Sequence, residues 1–365
     1  MSVSHLSLRK KIALELFRKF RSNAIQLHEL DYVFWECTLR CNLKCLHCGS
    51  DCKQNSGVQD MTVQDFIRAI DDITPIVNPN KTMIVFTGGE PLLRKDLEVC
   101  GKMLYDRGFP WGTVTNGLHL DAPRLQSLLR AGMRAATVSL DGLEQSHNWL
   151  RGNAHSFEKA VAAIRLLAGI PDLRFDVATC VHQRNFSELQ QLKDILVSIG
   201  VREWRLFTIF PIGRARENPD LQLAPVQFRE LFDFIAGERK KGELRVNYGC
   251  EGFLGNYEGE VRDNLFFCRA GVSVASVLAD GSISACPNLR NNFIQGNIYH
   301  DSFREVWETR YSKMRDRKWM QTGICAECSS FKYCEGSGLH LRDENSGEIL
   351  FCHYNRIKEG ELAGA

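Results

Sequence analysis

Between residues 32 and 212, short β-branched or aromatic runs alternate with longer amphipathic segments, and no other feature of the chain restricts its fold as tightly. Strands are predicted at 32–37, 82–87, 112–115, 135–140, 174–181 and 203–210, and helices at 63–76, 95–107, 122–131, 156–168 and 186–199. Repetition of this kind makes a parallel sheet with helices packed outside it, in the α/β class. Six units are fewer than the eight of a closed barrel, so a partial TIM-like (β/α)6 barrel and an open doubly wound sheet both satisfy the pattern. In either arrangement the chemistry belongs at the carboxyl ends of the strands.

The unusual residues lie at those ends. CNLKCLHC, from Cys41 to Cys48, follows the first strand; Gly88-Gly89-Glu90-Pro91 follows the second, Asn116-Gly117 the third and Asp141-Gly142 the fourth. Cys41, Cys45 and Cys48 stand in C-x3-C-x2-C spacing. Three thiolates hold three corners of a cubane iron–sulfur cluster and leave one iron open to a small molecule. Taken alone, the same motif also suits a zinc half-site or three packed thiols. Gly88 and Gly89 allow close backbone approach, and Glu90 can accept a hydrogen bond from an ammonium.

The chain has fourteen cysteines, and the segment 1–22 is too short in its apolar run and too polar, with Glu15 inside it, to be a secretory signal. A cytoplasmic protein is expected, and cytosolic thiols stay reduced, so metal or cluster ligation explains the cysteines better than disulfides do. Five lie between Cys37 and Cys52 and seven between Cys250 and Cys352, which implies two metal-bearing regions. A formal net charge of +2 carries no nucleic-acid footprint, and no window nears the ~18 apolar residues of a membrane span. Neither nucleic acid nor membrane is expected as a partner.

C-x3-C-x2-C after a first strand with GGEP after a second resembles the radical S-adenosylmethionine (SAM) superfamily, over residues 32–212. The resemblance implies a [4Fe-4S] cluster on Cys41, Cys45 and Cys48 whose open iron chelates SAM, with one electron cleaving SAM to a 5′-deoxyadenosyl radical. It further implies that Gly88, Gly89, Glu90 and Pro91 bind the SAM amino group. Ser139 and Asp141 would contact ribose or carboxylate, and Arg151 would pair with the SAM carboxylate. Asn116, Thr179 and Asn185 are weaker candidates. His47 is expected beside the ligands rather than among them, and Cys37, Cys52, Cys100 and Cys180 as packed thiols.

Cys268, Gly281 with Cys286 five residues on, Cys325-x2-Cys328-x5-Cys334 and Cys352 resemble the SPASM domain of radical SAM peptide maturases. Carried over, Cys325, Cys328, Cys334 and Cys352 hold a distal auxiliary [4Fe-4S] cluster, while Cys250, Cys268 and Cys286 hold a proximal one. The family's fourth proximal cysteine falls at Gly338. Three consequences stand open: an open iron, a substitute ligand such as His340 or Asp343, or no proximal cluster, with the open iron preferred because three thiols persist. Four thiolates from Cys325 to Cys352 would also suit zinc.

The resemblance implies hydrogen abstraction from a peptide or protein, with a flavodoxin- or ferredoxin-type reductant. Pro287 directly follows Cys286, where anaerobic sulfatase maturases carry a catalytic aspartate, so that subgroup fits poorly. The run FPIGRA, 210–215, is similar to SPASM enzymes acting on haem-like tetrapyrroles, which makes a small-molecule substrate the alternative; a non-catalytic electron carrier is the alternative outside enzymes. The whole chain also resembles a SPASM subgroup catalogued as partners of a small lipoprotein. The expected organisation is a helical segment at 1–30, a radical SAM core at 31–215, a linking helix at 216–245 and the SPASM domain at 246–358. Within the last, one helix is predicted near 303–318, its basic run Lys313, Arg315, Arg317 and Lys318 forming a solvated face.

Overall fold

The computed structural model describes residues 6–249 and 251–363; Cys250 lies outside the described residues. A first helix, α1 (Leu8–Leu27), leads into alternating elements: β1 (Tyr32–Thr38), α2 (Val63–Ile73), β2 (Met83–Gly88), α3 (Leu97–Asp106), β3 (Trp111–Thr115), α4 (Ala122–Arg130) and β4 (Met133–Ser139). Two helices, α5 (Glu144–Arg151) and α6 (Ser156–Ala168), separate β4 from β5 (Arg174–Val181), and α7 (Leu189–Ile199) leads to β6 (Glu203–Thr208). Then come α8 (Pro225–Lys241), β7 (Arg245–Tyr248), β8 (Val274–Val277), β9 (Ser282–Ser284) and β10 (Gly296–Asn297). Helices α9 (Phe303–Thr309), α10 (Ser312–Arg315), α11 (Phe331–Cys334) and α12 (His353–Ala363) complete the described chain.

The six expected strands form in the expected order and pair in parallel from β1 to β6. Local chemistry explains the helices between them. In α2 the Thr62 hydroxyl caps the first turn by accepting from the Asp65 amide, and Val63, Phe66, Ile67, Ile70 and Ile73 fall on one buried stripe. Phe66 stacks on Trp35 of β1 at 4.2 Å between centroids, which fixes that helix against the sheet.

Two features escaped the periodicity. β7 adds a seventh parallel strand beside β6, and β8 pairs in parallel with β1 on the other flank, so one open ten-stranded sheet runs β10-β9-β8-β1-β2-β3-β4-β5-β6-β7. The hairpin signalled by Asp280-Gly281 joins β8 to β9, with Gly281 at φ +86°. Glu36 on β1, buried, accepts from the Ala279 amide and from the Arg290 guanidinium, a charged tie between the sheet's first strand and the segment after β9.

The single helix predicted near 303–318 is broken into α9 and α10. Arg315 occupies the Trp307 carbonyl at 2.6 Å and the Glu308 carbonyl at 3.3 Å, acceptors that a continuous helix would spend on its own amides. The basic run is a solvated face only at its lysines. Arg317 is buried and donates to the carbonyls of Met314 and Cys268 and Arg315 is half-buried, whereas Lys313, over the rings of Phe293 and Trp319, and Lys318 are exposed.

Candidate functional site

The segment after β1 has no regular structure and is held by backbone bonds to its surroundings. Cys41 N–H donates to Lys53 O at 2.9 Å, Leu46 N–H to Leu150 O at 2.9 Å, and Arg214 N–H to Cys48 O at 3.1 Å. Gly89 and Glu90 complete the frame: their amides donate to Thr38 O at 2.8 Å and Arg40 O at 2.9 Å. A Cβ at Gly88 would collide with the Thr38 carbonyl, one at Gly89 with the Arg40 carbonyl, and Gly88 has φ +128°. The two glycines therefore let the β2 end lie directly against the cysteine segment.

One cavity gathers Cys41, Cys45 and Cys48 with Gly88, Gly89, Asn116, Ser139 and Arg151. Asn116 is oriented by its Nδ2 donating to Asn42 at 2.8 Å and its Oδ1 accepting from the Leu118 amide at 3.0 Å. Arg151 closes α5, which Gly152 terminates in the left-handed conformation at φ +66°. Its Nε donates to Asp141 Oδ2 at 2.6 Å, and Nη1 lies 3.7 Å from the Cys45 sulfur.

Five expected residues do not face this cavity. Glu90 is fully buried, and its carboxylate accepts from the Thr115 hydroxyl at 2.8 Å, the Asn116 amide at 2.8 Å and the Leu92 amide at 3.1 Å. Those donors tie it between the β2 and β3 ends, outside the cavity. Pro91 opens the short turn behind it and is buried there. Asp141 is fully buried, accepts from the Cys180 amide at 2.8 Å and is paired with Arg151, whose guanidinium it positions. Burial would raise its carboxyl, but Arg151, His47 and His147 outweigh that and hold it down at about 2. Thr179 and Asn185, also buried, spend their polar atoms on Leu140 O, on the His182 amide and on Asp141 O.

The cavity also holds residues the sequence reading set aside. Cys52 lines it, and its thiol donates to Cys48, lowering Cys48 to about 5 against the effect of burial, while Cys52 is itself pushed up. Its spacing, C-x3-C after Cys48, repeats that of Cys41 and Cys45, which was the available signal. Arg214 clamps the segment from the β6 side, donating to Cys45 O at 2.7 Å and Cys52 O at 3.1 Å. His47 lines the wall with its ligand atom within 4.8 Å of those of Asp141 and Cys180, and burial lowers its imidazole to about 3.

In the second region Cys325, Cys328, Cys334 and Cys352 stand close enough for their thiols to act on one another: burial and then Cys352, Cys325 and Cys328 push Cys334 up. Arg342 Nη2 donates to the Cys325 sulfur at 3.3 Å. Cys268 is lowered despite burial, because the Arg317 guanidinium and the Leu339 amide face its sulfur. The β8–β9 register, Ser276 opposite Ser284, carries Cys286 to the level of Val274, and Val274 bridges Ala270, two residues beyond Cys268.

Sets of soft sulfur donors, each with a guanidinium or amide directed at a thiol, fit iron–sulfur clusters, and glycine backbone beside the first set leaves room for a small ligand. The family model of the radical SAM superfamily matches residues 35–196, and that of the SPASM iron–sulfur cluster-binding domain matches residues 268–329. The chain is 26% identical over 326 residues to the AdoMet-dependent heme synthase of Methanosarcina barkeri, covering 83% of this chain and 90% of that protein. It is 27% identical over 310 residues to the mycofactocin maturase MftC of Mycolicibacterium smegmatis, covering 83% and 76%. Streptococcus suis SuiB bound to S-adenosylmethionine has the same fold, with a TM-score of 0.68 at 14% identity over 93% of this chain and 80% of that one. The chain belongs to the radical SAM superfamily, as an enzyme with a C-terminal SPASM domain whose cofactors are SAM and [4Fe-4S] clusters.

Proposed function

We propose that this enzyme abstracts hydrogen from a peptide or protein substrate. The observation that carries the chemistry is the single cavity shared by Cys41, Cys45 and Cys48 with Gly88, Gly89, Asn116, Ser139 and Arg151. Bound beside a reduced cluster, SAM supplies a 5′-deoxyadenosyl radical, the hard chemistry that no side chain provides. In this reading the three thiols hold the cluster and the Gly88-Gly89 backbone meets the methionine end of SAM. Arg151, fixed by Asp141 on one edge, offers its remaining N–H groups to a carboxylate. Cys325, Cys328, Cys334 and Cys352 hold the distal auxiliary cluster, and Cys250, Cys268 and Cys286 the proximal one. A flavodoxin- or ferredoxin-type protein delivers the electron.

The peptide substrate is supported by the similarity to the mycofactocin maturase and by the SPASM domain itself. A tetrapyrrole is the second reading, favoured by the heme synthase, which matches over the larger share of its own length. Anaerobically reconstituted enzyme with SAM and reductant is to be given short peptides encoded beside its gene and, separately, an iron tetrapyrrole. A peptide mass change accompanied by 5′-deoxyadenosine supports the first reading, and turnover with the tetrapyrrole alone replaces it by the second.

A further inference from the structure

Helix α1 carries two apolar faces where a surface helix needs one. The inner face is packed: Leu14 is buried, Phe17 meets Phe267 edge-on at 6.4 Å between centroids, and the buried Arg21 donates to Tyr333 O at 2.7 Å and Lys332 O at 2.9 Å. Those bonds seat α1 on α11, the helix that ends in Cys334. The outer face has no such cover among the described residues. Leu8, Ile12, Leu16 and Phe20 recur every four residues, Leu27 follows two turns later, and each is more than half exposed. The stripe runs the whole length of a 20-residue helix, about 30 Å. Its surroundings are basic. α1 holds six basic residues against one acidic, Glu15, whose carboxylate is already engaged by Arg18, Lys332 and the Tyr333 hydroxyl. Arg9, Lys11 and Lys19 are exposed and have no ion-pair partner among the described residues. Positive charge is thus concentrated on a helix where the formal net charge of +2 for the whole chain conceals it.

We propose that α1 docks the enzyme on an anionic lipid surface, its apolar stripe entering the headgroup boundary while Arg9, Lys11 and Lys19 meet lipid phosphates. Leucine, isoleucine and phenylalanine along one face, with lysine and arginine beside them, are the composition of an interfacial helix. A protein partner fits less well, because lysine is depleted from protein interfaces. A second copy would bring two basic helices together, against their mutual repulsion. No helix of the described residues is long and apolar enough to cross a membrane, so the attachment is peripheral. The expectation of no membrane partner rested on net charge and on the lack of a span, and neither reports on one face of one helix.

The test is co-sedimentation of the full-length, anaerobically reconstituted enzyme with vesicles of phosphatidylcholine alone and of phosphatidylcholine and phosphatidylglycerol in equal parts, at low and at raised salt. The proposal predicts binding to the anionic vesicles that weakens with salt, and little binding to the neutral ones. Leu16→Glu with Phe20→Glu should abolish binding, while helical content and iron content stay as in the wild type. Arg9→Gln, Lys11→Gln and Lys19→Gln together should lower the affinity about a hundredfold, and this variant carries the test if the glutamates disturb α1. Wild-type enzyme that stays in the supernatant with anionic vesicles would overturn the proposal, as would unchanged binding by the folded Leu16→Glu, Phe20→Glu protein. A concentration-dependent dimer that binds no vesicles and is broken by the same two substitutions would overturn it in favour of a second copy.

Discussion

Arg151 donates to the buried Asp141 carboxylate at 2.6 Å and extends its other edge to 3.7 Å from the Cys45 sulfur, so one guanidinium joins the end of β4 to the cysteine segment. Arg151→Met would leave Asp141 charged, buried and without its cation. The expected loss is about 3–5 kcal/mol in anaerobic chemical denaturation, because an uncompensated buried charge costs more than the pair contributes. Adding Asp141→Asn should recover part of it. An Arg151→Met protein as stable as the wild type would contradict this.

His147 gives the stability a pH dependence. Its Nδ1 accepts from the Asp141 amide at 2.9 Å and its Nε2 faces the Ser156 hydroxyl at 2.9 Å, an arrangement that needs the neutral ring. Burial lowers the imidazole from 6.5 to about 4, with Asp141 opposing and Arg151 assisting. The unfolded chain then takes the proton first, so this contribution is complete above pH 6.5 and is lost as pH falls toward 4. Unfolding at pH 7 and pH 5 should differ by about 2 kcal/mol from this group, and His147→Gln should remove that difference.

Gly89→Ala tests the contact between β2 and the cysteine segment. The new methyl group would meet the Arg40 carbonyl, and the Gly89 bond to Thr38 O would have to open. The predicted result is a folded protein that loses about four irons, one cubane, and no longer binds SAM. Full iron loading and SAM binding would show that the approach is not needed.

Glu90→Ala should act through the frame and not through a direct ligand contact. Three donors would lose their shared acceptor, for a destabilisation of about 2–4 kcal/mol. SAM affinity should fall in parallel with stability across Ala, Gln and Asp variants. A variant with full stability and no SAM binding would instead make the carboxylate a ligand contact.

The fold was legible wherever periodicity controls it. The six parallel strands followed from alternation, and Gly281 marked the hairpin of the second region. β7, four residues long, gave too short a pattern to read, and the break between α9 and α10 depends on Arg315 taking carbonyls seven and eight residues back. At the site, residue type was visible and direction was not. Nothing in the sequence separates Gly89, which faces the cavity, from Glu90, which turns into the core. Likewise, Asp141 and Arg151 are ten residues apart and meet only because α5 turns Arg151 back toward β4. Gly338 was legible as a departure, but that a Cβ there would meet the Glu251 carbonyl follows from tertiary packing alone.

The most direct test is 5′-deoxyadenosine formation by anaerobically reconstituted enzyme given SAM and a strong one-electron reductant, compared with protein carrying Cys41→Ala, Cys45→Ala and Cys48→Ala. Nucleoside release by the wild type and none by the triple variant is the predicted result. Wild-type protein with its clusters intact that binds no SAM and releases no 5′-deoxyadenosine, with or without candidate substrates, would contradict the assignment of this cavity to SAM cleavage.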